Sequence, residues 1–215
     1  MLINEFIGYD LIIDEIPEGS RVLDLGCGNG DLLAILAAKK GIEPHGVEIS
    51  QSGVSECVKR GLYVTQSDID EGLSIYKDNS FDYVIINQTI QNTKYPETVM
   101  KEIMRIGKHA IISFPNFVFV QIRLQMMFKG VMPDTRVLPF AWYESPNIHL
   151  VSIRDFTRYC GMRGYPIKKI LHFRQGAGEE PVVVKFMPNL FAEYGFFVLD
   201  GLKFSSNINA GRMDG

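Results

Sequence analysis

The sequence predicts an α/β fold, a largely parallel sheet with helices on both faces, and three observations carry that prediction. The first is residues 22–30, Val-Leu-Asp-Leu-Gly-Cys-Gly-Asn-Gly, where an apolar strand runs into glycines that permit positive φ and close ligand approach, and a helix opens at Asp31. The second is the continued alternation of strand-like and helix-like stretches, which calls for parallel strands joined by right-handed crossovers. The third is a pair of unbroken apolar, β-branched runs, residues 81–87 and 109–114, typical of strands buried on both faces.

Taken in order, the first strand and the helix from Asp31 to Lys40 are followed by a second strand, Pro44-His-Gly-Val-Glu-Ile-Ser, that ends in an acid. A short helix from Gln51 to Arg60 is closed by Gly61. Residues 62–66 form strand three and 81–87 strand four, Pro96 to Ile106 a helix with proline in its first turn, and 109–114 strand five. Ser152-Ile-Arg-Asp opens another helix in capping-box style, which runs to about Met162 and stops at Gly164. Tyr165–Phe173 and Phe191–Leu199 complete seven strands, with the Gly-Ala-Gly-Glu-Glu-Pro segment as a loop between them.

Two regions stand outside the alternation. Residues 116–150 form an insertion rich in aromatics and methionines, placed over the active-site edge, in which 120–126 mixes strand and helix periods and is read as helix. Residues 204–215 are polar and read as a flexible tail. With no repeat and no low-complexity linker, residues 1–203 are one domain.

Composition narrows the function class. A net charge of −3 with both signs scattered gives no electrostatic footprint for nucleic acid. Cys27, Cys57 and Cys160 cannot all pair and lack C-x-x-C spacing, which argues against a disulfide framework and fits a cytoplasmic protein. The N-terminus is acidic where a signal peptide is basic, and the apolar stretch 110–128 is broken by Pro115, Asn116, Gln121, Arg123 and Gln125, so no membrane association is expected. His45, His109 and His172 are scattered, and no metal site is expected.

The ligand follows from spacing. Gly26, Gly28 and Gly30 form G-x-G-x-G rather than the dinucleotide G-x-G-x-x-G, and Asp24 stands two residues ahead of them. A carboxylate there repels a pyrophosphate and suits an ammonium, which favours S-adenosylmethionine over NAD. Glu48 ends strand two where such folds place the acid that accepts both ribose hydroxyls. Asp68 is placed to accept from the adenine amine, Ile69 to pack on the ring, and Gln88 to line the methionyl end. Asn116 is expected to face the same pocket, and His149 and Tyr143 are the candidates for substrate contact or proton transfer. Trp142 is read as packing. The competing readings are a bare tight turn, solvated acids at strand ends, plain loop polarity and a loop-holding histidine.

With Asp24-Leu-Gly-Cys-Gly-Asn-Gly, Glu48 and Asp68 in place, the chain resembles the class I S-adenosylmethionine-dependent methyltransferases. The segments Phe81-Asp-Tyr-Val-Ile-Ile-Asn-Gln-Thr-Ile-Gln, Ser113-Phe-Pro-Asn-Phe, Leu138-Pro-Phe-Ala-Trp-Tyr and Ser145-Pro-Asn-Ile-His-Leu make it more closely similar to the MetW family of methionine-biosynthesis proteins, over about residues 20–200. The superfamily resemblance implies a Rossmann-like, seven-stranded, mostly parallel sheet with the last strand antiparallel, and cofactor roles for Asp24, Gly26, Gly28, Glu48 and Asp68. The family resemblance implies association with homoserine O-acyltransferase (MetX) in homoserine acylation. It leaves open whether the chain is itself a methyltransferase that yields S-adenosylhomocysteine. Asn87 before Gln88, where typical members have a smaller residue, leaves the shape of the acceptor side open.

Overall fold

The computed structural model describes residues 8–176 and 180–206. In chain order the elements are α1 (Tyr9–Glu15), β1 (Arg21–Leu25), α2 (Asp31–Lys40), β2 (Glu43–Glu48), α3 (Gln51–Lys59), β3 (Tyr63–Gln66), β4 (Phe81–Asn87), α4 (Pro96–Ile106), β5 (Gly107–Pro115), α5 (Val120–Lys129), α6 (Ile153–Arg163), β6 (Ile167–Gln175), β7 (Pro181–Val183), α7 (Pro188–Phe191) and β8 (Tyr194–Asp200). The strands form one sheet in the order β3-β2-β1-β4-β5-β8-β6-β7. β1 to β5 pair in parallel, and β8 lies antiparallel to both β5 and β6. The order reverses between β1 and β4, so their carboxyl ends open a crevice on one edge of the sheet.

Strand periodicity explains why the sheet needs cover on both sides. Along β4, Val84 and Ile86 enter one core cluster with Leu23, Leu25 and Ile112, while Tyr83 and Ile85 enter the other with Val22, Leu33 and Ile111. α4 and α6 pack on the first face, and α1 and α2 on the second. Ring packing of Phe114, Phe156 and Phe197, with centroids 4.8–5.7 Å apart, ties α6 to β5 and β8. Among the described residues no helix is long and apolar enough to cross a membrane.

Four points differ from the sequence reading or add to it. The sheet has eight strands rather than seven, because Pro181–Val183 pairs antiparallel with β6, a three-residue edge too short to show alternation. α1 was not foreseen: Gly8 caps it in the left-handed region with no side-chain bond, so the usual Ser/Asp start signal is missing. β8 begins at Tyr194 rather than Phe191, which belongs to α7 behind Pro188. Residues 201–206 are helical, and Phe204 packs on Tyr165 at 4.9 Å, while the rest of the expected tail, 207–215, lies outside the described residues. Part of the 176–181 loop lies outside them too.

The insertion divides into an anchored and an exposed part. Ile122 of α5, Val137 and Leu138 enter the core. Arg136 Nη2 donates to both carboxylate oxygens of the buried Glu193, at 2.7 and 2.8 Å, an ion pair that fastens the insertion to the chain just before β8. Residues 120–126 are helical as read, within α5, which Gly130 ends in the left-handed region.

Candidate functional site

β1 delivers Asp24 to the crevice and then turns through three glycines with φ of +75°, +55° and +77° at Gly26, Gly28 and Gly30. The turn is held against β2, since the Gly26 and Cys27 N–H groups both donate to Val47 O, at 2.8 and 3.1 Å. A Cβ at Gly26 would come within 2.7 Å of Thr89, and one at Gly30 within 2.5 Å of Leu62 and 2.9 Å of the Cys57 sulfur. Gly30→Ala therefore meets both a forbidden φ and a packed wall, and the expected loss of stability is about 2–4 kcal/mol. Chemical denaturation of the variant measures this; a loss below about 0.5 kcal/mol would contradict the packing described.

Glu48 fixes the far side of the turn. Its two carboxylate oxygens accept from Gly28 N at 2.9 Å and Ser50 N at 2.8 Å, so the acid joins the glycine loop to the cap of α3. Each oxygen retains a second acceptor site. Asp24 is almost wholly buried, 3 % exposed, and burial first, then the charge of Glu48, pushes its carboxyl up from 3.8 to about 7. A buried acid in this condition gains from a cationic ligand.

Two cavities lie along this edge and meet at Gly26, Thr89 and Asn92. The first, about 360 Å³, is lined by Asp24, the glycine loop, the turn after β4 and the insertion residues Phe140 and Asn147. The second, about 380 Å³, is lined by Glu48, Asp68 and Asp70, with Ile49 and Ile69 as apolar walls. Of the two neighbouring acids, Asp70 is engaged in structure: its carboxylate accepts from Lys94 N and Tyr95 N, both at 2.9 Å, and ties the loop to α4. Asp68 accepts from Asp70 N at 2.9 Å through one oxygen. The predicted Asp24, Gly26, Gly28, Glu48, Asp68, Ile69 and Gln88 thus line the joined cavities. Gly30 does not line them; it lets the loop turn against α3.

The turn after β4 is strained and held. Gln88 has φ +52°, a conformation that costs about 1–2 kcal/mol in a residue with a Cβ, yet its N–H donates to Ser113 O at 2.9 Å and its carbonyl accepts from Gln91 Nε2 at 2.7 Å. The neighbouring Asn87 accepts a short bond from the Ser113 hydroxyl. This geometry turns Thr89, Gln91 and Asn92 toward the cavities; the polar run 87–93 at the strand's carboxyl edge offers its amides to cofactor or substrate, but the sequence selects only Gln88 among them. Tyr9 of α1 also lines the first cavity and was missed with its helix.

Three expected positions are corrected. Asn116 is fully buried and spent on structure, its amide donating to Ala192 O at 2.8 Å and Asn189 O at 3.2 Å. His149 lines a separate cavity with Ile90, Met100 and Tyr159, because Ile148 N and His149 N both donate to Gln91 O at 2.9 Å and leave Pro146 and Asn147 facing the cleft instead. Tyr143 is 70 % exposed and lines none of the cavities described. Trp142, read as packing, is 76 % exposed and borders an apolar cavity beside the cleft. Among the described residues, no three His, Cys, Asp or Glu side chains are grouped to hold a metal.

Comparison with known proteins places this architecture. The family model described as "Methionine biosynthesis protein MetW" matches residues 7–199. A bifunctional methionine biosynthesis protein MetXA/MetW from Rhodopirellula baltica is 39% identical over 164 residues, covering 72% of this chain and 26% of the relative. A demethylmenaquinone methyltransferase from Bacillus licheniformis is 32% identical over 146 residues, 60% of this chain and 63% of the relative. The chain thus spans about a quarter of the first relative and under two thirds of the second. Among solved structures, an S-adenosylmethionine-dependent methyltransferase from Thermotoga maritima matches with a TM-score of 0.66 at 19% identity, over 90% of this chain and 87% of that one, which establishes the fold.

Proposed function

The chain belongs to the MetW family of methionine biosynthesis proteins, and from that premise we propose that it binds S-adenosylmethionine across the two joined cavities and acts with a homoserine O-acyltransferase (MetX) in homoserine acylation. The observation that carries the cofactor reading is the junction at Gly26, with Asp24 at one end and Glu48 and Asp68 at the other of one bare-backbone turn. Asp24 would take the methionyl ammonium, and Gln88 would line the rest of that end. The unused acceptor sites of Glu48 match two ribose hydroxyls, Asp68 the adenine amine, and Ile69 the ring face. Calorimetric titration with S-adenosylmethionine and S-adenosylhomocysteine is expected to show binding of both. Wild-type affinity in Asp24→Ala and Glu48→Ala together would overturn the site.

The partner reading is supported by the Rhodopirellula baltica relative, whose name joins MetXA and MetW in one protein. Joining two domains replaces chance encounter with a high effective concentration, an arrangement useful when one acts on the other. Co-purification with the acyltransferase and an altered acyl-transfer rate on adding this protein are expected. Absence of both a complex and a rate change would sink the partnership.

A second reading, methyl transfer to a small molecule, is favoured by the polar lining that Asn87, Gln91 and Asn147 add beyond the methionyl end. The bound cofactor would supply an electrophilic methyl group, and these side chains would orient an acceptor. His149 and Tyr143 would serve as proton acceptors only if the 140–150 segment moved toward the cleft. A panel of thiols, amines, alcohols and carboxylates offered to wild type and His149→Ala tests this, with no methylated product as the refuting outcome.

A further inference from the structure

We propose that the cleft and the apolar cavity beside it together bind a second small molecule, an amphipathic one with an N–H or O–H donor head and an alkyl or aromatic tail. The proposal rests on the cofactor reading above and adds the chemical class of what sits next to the cofactor.

The head is read from the cleft. Gln91 is 4 % exposed, its Nε2 is engaged with Gln88 O, and its buried Oε1 has no hydrogen-bond partner. Asn92 Oδ1, in the same turn, is likewise buried and unpartnered. Leaving two carbonyl acceptors dry costs about 1–3 kcal/mol each unless something donates to them. No lysine, arginine or histidine lines the cleft among the described residues, whereas Asp24 does, and Asp31, also in the lining, is ion-paired with Arg60 behind it. An anionic head is therefore disfavoured, and a neutral or cationic donor fits.

The tail is read from the neighbouring cavity, about 320 Å³, which shares Phe140 and Asn147 with the cleft and continues between Ile122, Met126, Met132, Trp142 and Leu150. Several of its polar groups are paired with one another. The Ser152 hydroxyl donates to Asp155 Oδ2 at 2.5 Å and accepts from Asp155 N at 3.1 Å, and Ser145 Oγ accepts from both nitrogens of Asn147 at 3.2 Å. What remains to solvent is mostly apolar, with Met132, Trp142 and Leu150 each more than half exposed. Burying a methylene there removes apolar surface from water, and a tail reaching out of the cleft past Phe140 does so without a second protein. Continuity with the polar cleft is what selects a small amphipathic occupant over a protein partner.

The test uses the full chain saturated with S-adenosylhomocysteine and titrated calorimetrically with n-hexylamine, ethylamine and hexanoate. Hexylamine is expected to bind at least tenfold more tightly than either of the others. Gln91→Leu should weaken hexylamine at least fivefold. Trp142→Ala, a change at an exposed position, should cut the hexylamine-to-ethylamine ratio to below threefold. Failure to bind S-adenosylhomocysteine on the same protein overturns the cofactor reading and this proposal with it. Binding of S-adenosylhomocysteine with equal affinity for short and long amines overturns this proposal alone, and loss of acyltransferase binding in Trp142→Ala under that result would make the apolar cavity a protein contact.

Discussion

Asp24→Asn is expected to stabilise the ligand-free protein at pH 8 by up to about 4 kcal/mol while weakening S-adenosylmethionine binding ten- to hundredfold. Burial and the Glu48 charge raise the folded carboxyl to about 7 against 3.8 when unfolded. Between those values the folded state holds a proton that the unfolded chain has released, so stability falls as pH rises from about 4 to 7. Above 7 the full penalty is in place, each tenfold weakening of the acid costing about 1.4 kcal/mol. The amide carries no such penalty. Denaturant unfolding of both proteins from pH 4 to pH 8 should therefore give curves that coincide at the acid end and separate toward pH 8. A gap that is constant with pH would mean that Asp24 ionises like an ordinary surface acid. In the wild type, affinity for the cationic ligand should climb through pH 7 as the carboxyl loses its proton, and the variant should lose that climb. That result would mark Asp24 as an acid whose cost to the fold is offset when a cationic ligand binds.

Glu48→Ala is expected to abolish measurable cofactor binding and to destabilise the fold by about 2–3 kcal/mol. Both carboxylate oxygens serve backbone donors, at Gly28 and Ser50, and deletion leaves these N–H groups unpaired at a partly buried corner. The loop that carries Gly28 then loses its tie to α3. Glu48→Gln preserves one acceptor but turns an NH₂ toward a backbone N–H, so it should recover part of the stability and little of the binding. Thermal unfolding separates the two effects from each other. If the alanine variant melts with wild type, the carboxylate is not the clamp described here.

The parts of this site that were legible in the sequence are those in which one short segment carries both the geometry and the chemistry. Asp24 with Gly26 and Gly28, Glu48 at a strand end, and Asp68 with Ile69 after strand three all keep their meaning within a few residues, and the sheet places their strand ends together. Gln91 and Asn92 were obscured because their orientation depends on the left-handed Gln88 and on Ser113, which is twenty-odd residues away in another strand. The misplacement of His149 has the same origin: two backbone bonds to Gln91 O, from a segment far along the chain, decide which residues of 146–150 face the cleft. Asn116 stands at the end of β5 as read, yet its amide answers to carbonyls of residues 189 and 192, a partnership that no local pattern announces. The fold was easier because the unbroken apolar runs of β4 and β5, buried on both faces, are a local signal, whereas the three-residue β7 and the uncapped α1 leave almost none.

β8 has a consequence for the order in which the molecule can be made. Among the described residues it is the last strand in chain order, yet it lies between β5 and β6, and six of its seven residues are buried. A growing chain can pair β1 to β5 as they emerge, but β6 and β7 form only a hairpin with nothing to join until residues 194–200 leave the ribosome. A chain released before that point would expose the apolar edge of β5 along its length, an invitation to pair with another chain. Emergence of residues 194–200 and closure of the sheet are therefore one event, and nascent molecules stalled upstream of Tyr194 are the ones a chaperone would have to cover.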